Sequence, residues 1–201
     1  MICLTTGCAA TLKPPPDPVD PVPVVVLDHG RHNTLVIVPE PNRAIRYAYG
    51  EWRWYVDGQT GSGRALGALL SPSPAALGRR ILEGPVDPNC WQPQVGSVIR
   101  RALVFRASSE AASRLVEAID RYFEQADYVQ FSYRLKLELI EDPIPYSLSY
   151  NSNHRVVEWL KALGFSMRGN PTIGRLNPAD PQSALSIDSS ACSASSHWFS
   201  R

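Results

Sequence analysis

The chain has 201 residues, 44% of them hydrophobic, which is enough for one ordinary core. A net charge of +1 gives no basic stripe for nucleic acid and no general preference for an acidic partner. No run of about 18 apolar residues occurs, so no segment reads as a membrane-spanning helix.

Residues 1–10, MICLTTGCAA, resemble the end of a bacterial lipoprotein signal, in which small residues precede a cysteine that becomes lipidated. The resemblance implies a lipid on Cys8 and a place on the periplasmic face of the cell envelope, anchored by that lipid alone. The basic and long apolar regions of such a signal are not in the sequence, and Thr5 stands where leucine is usual. Pro14, Pro15, Pro16, Pro18, Pro21 and Pro23 then forbid helix and favour an extended tether. Residues 1–21 are therefore expected to be signal remnant and tether, residues 22–175 one α+β domain, and residues 176–201 a disordered, serine-rich tail.

Within the domain, the β-branched run at 22–28 reads as a buried strand, and 34–38 as a second after a His29-Gly30-Arg31-His32 turn. Residues 45–49 and 51–56 read as strands broken by Gly50, with Tyr47, Tyr49, Trp52, Trp54 and Tyr55 as core and edge aromatics. Residues 64–70 and 74–82 read as short helices, and 84–96 as a proline-rich connection. A strand at 98–107 leads to a helix capped by Ser108 or Ser109, with Ala112, Leu115, Val116, Ile119 and Phe123 on one face. Leu135, Leu137 and Leu139 alternate with charges as in a half-buried strand, and Pro143 and Pro145 suggest a turn.

The clearest helix follows. Val156, Trp159, Leu160 and Leu163 fall at i, i+3, i+4 and i+7, and Gly164 stands where a left-handed residue would end the helix. Asn151, Ser152 and Asn153 crowd its start. Ser152 is either a helix cap or a nucleophile at the positive end of the helix dipole.

The four cysteines, Cys3, Cys8, Cys90 and Cys192, form no CxxC pair, which argues against structural zinc. A disulfide framework is not expected in a chain this large. His29, His32 and His154 could be assembled into a metal site only without the usual helical spacing or a convincing carboxylate, so neither a metal nor another cofactor is expected. No GxSxG elbow, phosphate loop or dinucleotide fingerprint is present.

What remains is HNTLVIV at a strand head and NSNHRVVEWL at a helix head, with Tyr49-Gly50-Glu51-Trp52 between them. Together these resemble the circularly permuted papain-like proteins, which include NlpC-type amidases and the lecithin:retinol acyltransferase group. They look most like envelope members carrying an H-G-x-H strand start. The resemblance spans roughly residues 22–167. It implies a mostly antiparallel sheet packed by helices and an amide or ester hydrolase or acyltransferase acting through an acyl-enzyme on a small-molecule, lipid or peptide-amide substrate.

By the same resemblance His32 is the base, Asn151, Asn153 and His154 frame the helix start, and Ser152 stands where the family carries cysteine. Tyr47, Tyr49 or Glu51 would orient the imidazole. A thiol can ionise beside a histidine, whereas a serine hydroxyl depends on base-assisted attack. Three outcomes stay open: an active serine enzyme, an altered cysteine enzyme, or an inactive module binding through the aromatics around Trp52 and Trp54. A structural lipoprotein without a pocket is a further alternative. An active site requires Ser152 and His32 within hydrogen-bond reach, roughly 2.6–3.5 Å with allowance for a looser free enzyme, and a separation beyond about 8 Å would exclude it.

Overall fold

The computed structural model describes residues 9–58, 72–172 and 175–192. Eleven strands are described. β1 (Ala10–Lys13), β9 (Ser166–Arg168) and β10 (Leu176–Pro178) form a small sheet with β1 in the middle. The other eight are β2 (Pro21–Asp28), β3 (Asn33–Glu40), β4 (Arg43–Glu51), β5 (Ser73–Leu82), β6 (Arg101–Ser108), β7 (Gln130–Ser132), β8 (Leu137–Tyr146) and β11 (Ala184–Ser186). They make one antiparallel sheet in the order β11-β6-β2-β3-β4-β5-β8-β7. With its helices the molecule is α+β.

Alternation along the central strands splits the side chains between two faces. Val24, Val26, Leu35, Ile37, Tyr47 and Leu77 meet helices α2 (Ser109–Glu124) and α3 (Ser152–Ala162) in one core. Val25, Leu27, Val36, Val38 and Ala44 face the other way, against Trp91, Val95 and Ile99 of the connection between β5 and β6. Ser108 caps α2 by accepting from the Ala111 N–H at 3.3 Å, and the five apolar positions expected on its face are buried. At the end of α3, Gly164 adopts φ +88°; the Phe165 N–H bonds to the Leu160 carbonyl and the Gly164 N–H to that of Lys161. That pair of bonds is a Schellman closure.

Several elements depart from the sequence expectation. Residues 74–82 are strand rather than helix: β5 lies between β4 and β8, and paired backbone with Ala75 and Leu77 on one face and Ala76 on the other outweighs the helix preference of Ala, Leu and Arg. Residues 51–56 are not a strand. The chain leaves β4 at Glu51 into a single helical turn, α1 (Trp52–Tyr55), because Gly50 leaves room for Tyr55 to fold back. A Cβ at Gly50 would lie 2.1 Å from the Tyr55 ring.

Pro143 and Pro145 stand inside β8, beyond the stretch paired with β7, where a missing N–H costs no ladder bond on that side. The expected helix at 64–70 lies outside the described residues.

The first and last described segments join the fold. β1 lies within the segment expected to be signal remnant and tether, and β10 and β11 lie within the expected tail. The disulfide expectation is corrected as well. Cys90 and Cys192 are bonded across 102 residues, and the Asp188 N–H bonds to Asn89 Oδ1 at 2.9 Å beside them. A serine-rich stretch too polar to build its own core is thus fastened to one made elsewhere.

Candidate site at the start of helix α3

Asn151, not Ser152, is the cap. Its Oδ1 accepts from the Asn153 N–H at 3.0 Å, and its Nδ2 donates to the Thr172 carbonyl at 2.9 Å. His154 completes a capping box: its Nδ1 accepts from the Asn151 backbone N–H at 3.4 Å, and its Nε2 lies 3.3 Å from Thr172 Oγ1. Burial lowers the His154 pKa, with Glu158 opposing. Asn153 donates to the Pro171 carbonyl at 3.0 Å and accepts from Asn33 Nδ2 at 2.7 Å. The head of β3 and the head of α3, 120 residues apart, are therefore in direct contact.

Ser152 is the first residue of α3 and only 4% exposed. Among the described residues its hydroxyl makes no hydrogen bond, and the expected bond to His32 is absent. Strand period explains why. Asn33 faces α3, so Thr34 and the residues in step with it face away, and His32 is in step with Thr34. Its ring stacks on His29 at 4.7 Å between centroids and meets the edge of Trp54 at 5.9 Å. His32 thus stands at the head of the strand that touches α3, but on the other face of the sheet.

The three candidates for orienting His32 have other partners. The Tyr47 hydroxyl donates to Asp120 of α2 at 3.5 Å, and that of Tyr49 donates to the Ile144 carbonyl at 2.8 Å. Burial, then the nearby carboxylates Asp120 and Asp142, push both phenols up. Glu51 caps α1, accepting from the Trp54 N–H at 2.8 Å.

The face with His32 holds a polar cluster of its own. His29 Nδ1 lies 3.0 Å from the Val98 carbonyl and 3.1 Å from Ser97 Oγ, while Nε2 lies 3.1 Å from Thr34 Oγ1. A carbonyl can only accept, so the proton sits on Nδ1, and Nε2 accepts from the Thr34 hydroxyl. Thr34 in turn accepts from Arg46 Nε at 3.4 Å. This chain suits a neutral ring. Burial first, then His32 and Arg46, lowers the His29 pKa well below 6.5. His32 is lowered to about 4 by burial and Arg46, with Asp28 opposing.

Sequence reasoning missed Arg46, whose one signal is a charge in the middle of the apolar run Ala44-Ile45-Arg46-Tyr47-Ala48. Trp52 and Trp54 are half-buried, and Trp54 meets this cluster through the His32 ring. The Arg134 guanidinium stacks over Trp54 at 4.7 Å and donates to its carbonyl. No group of three histidine, cysteine, aspartate or glutamate side chains among the described residues converges as a metal site would require.

Comparison with family models, with curated proteins and with solved structures gives no match. The functional reading therefore rests on this geometry.

Proposed function

We propose that the chain is a permuted papain-like module of the bacterial envelope that binds a ligand and does not form an acyl-enzyme. One observation carries the reading: Ser152 and His32 lie on opposite faces of the sheet, so the serine lacks the base that its hydroxyl, unlike a thiol, requires. The direct contact between the heads of β3 and α3 supports the papain-like frame.

An envelope location is supported by the Cys90–Cys192 disulfide, a bond that persists in oxidising compartments, and by the resemblance around Cys8. No helix among the described residues is long and apolar enough to cross a membrane, which is consistent with attachment by lipid. Replacement of Cys8 by serine should abolish incorporation of radiolabelled palmitate. Equal incorporation in the variant would remove the anchor from the proposal.

Acyl transfer by an active serine is the second reading. It is favoured by a Ser152 hydroxyl that is free of capping duty at a helix N-terminus. A fluorophosphonate probe separates the two. Binding without catalysis predicts no labelling of the protein, and a Ser152→Cys variant that alkylates with the pH dependence of an ordinary thiol. Labelling that vanishes in Ser152→Ala would overturn the binding reading in favour of catalysis.

A further inference from the structure

Arg46 is 1% exposed, and its described hydrogen bonds go only to Thr34 Oγ1 at 3.4 Å and the Leu135 carbonyl at 3.2 Å. Directly across the β4–β5 ladder stands Arg80, on the same face. Arg80 is half-buried, its Nε has no hydrogen-bond partner, and its guanidinium lies 6.0 Å from the centre of the Phe131 ring.

Every aspartate and glutamate of the chain falls among the described residues, and none of them forms an ion pair with Arg46 or Arg80. The neighbouring arginine Arg79 points to the other face and holds both Asp120 and Glu138. Like charges directly opposite on a ladder destabilise it, and a buried charge without a counter-ion is costlier still. The fold tolerates both at one place, which is the arrangement expected where the counter-ion arrives with a ligand.

We propose that Arg46 and Arg80 form the cationic floor of an oxyanion-binding site on the face of the sheet away from α3. His29, His32 and Trp54 stand at its margin, and the ligand presents a carboxylate or a phosphate. A guanidinium pair suits either group, since each offers paired oxygens to planar N–H donors. The half-buried Trp54 beside His32 supplies an apolar surface for the body of such a ligand.

This inference names the ligand class of the binding reading and rests on it. The test is titration of the full chain with sodium phosphate and, separately, sodium malonate at constant ionic strength, with sodium chloride as the control. The readout is the ring carbon-bound proton resonances of His29 and His32. A saturable shift with at least one of the two anions, and not with chloride, is expected; the anion that saturates identifies the group. Arg80→Gln, at a half-buried position, should weaken that binding at least tenfold. No saturable shift with either anion, or an unchanged midpoint in Arg80→Gln, would overturn the site. Probe labelling of Ser152 would overturn the binding reading without altering this titration, so the two failures are distinguishable.

Discussion

His29 and His32 both hold the proton less firmly in the folded chain than an exposed histidine does, chiefly because burial penalises the charged ring. The unfolded chain therefore binds more protons than the folded one at mildly acidic pH. Stability from these residues is present in full above the ordinary pKa of 6.5 and is lost as pH falls from there towards about 4 for His32. Thermal melts taken from pH 8 downwards should show Tm falling through that window, and His32→Gln should flatten the fall. A Tm that is level between pH 7 and pH 5 would contradict the buried, neutral assignment.

A second residue-scale prediction concerns Asp142, whose carboxylate is buried against Arg155 at 2.8 Å with Tyr150 and Glu158 beyond it. Asp142→Ala leaves a buried guanidinium whose one remaining carboxylate partner among the described residues is the more exposed Glu158. It should cost about 3 kcal/mol in denaturant unfolding. A loss below about 1 kcal/mol would mean that the pair is not holding α3 to β8. Neither this pair nor Arg46 was legible in the sequence, because a charge in an amphipathic pattern reads as solvent-facing until the strand order is known.

At the scale of elements, the sequence carried the features set by local chemistry. α2, α3, β2 and β3 have the expected periodicity, caps and Gly164 closure within a residue or two at their ends. It failed where a neighbour decides. β5 is a strand because β4 and β8 flank it, and α1 forms because Tyr55 lies on Gly50. Gly50→Ala should therefore destabilise by about 1–3 kcal/mol through displacement of that ring. A variant as stable as the parent would show that Tyr55 has another place to go.

The disulfide belongs to the same scale. Spacing alone could not pair Cys90 with Cys192, since contact between them depends on β11 joining the sheet edge. Reduction, or Cys90→Ser, should cost about 2–5 kcal/mol, given the long loop that the bond closes. Hydrogen exchange at residues 184–186 should accelerate first. Unchanged exchange there would mean that β11 holds without its clip.

For the molecule as a whole, the strand head and the helix head that carry the motifs lie in contact through Asn33 and Asn153. They did not reveal on which face each side chain emerges, because a shift of one residue along a strand reverses the face while leaving the motif unchanged. That single step puts Ser152 and His32 on opposite faces, and it leaves the face with Arg46 and Arg80 as the chemically unbalanced side of the sheet.

The most direct measurement is a nuclear Overhauser experiment on the free protein, centred on the His32 ring protons. The account predicts cross-peaks to the Trp54 indole and the His29 ring, and none to the β-protons of Ser152. Cross-peaks from His32 to Ser152 in place of those to Trp54 would put base and nucleophile on one face. They would contradict the binding-module account at its foundation.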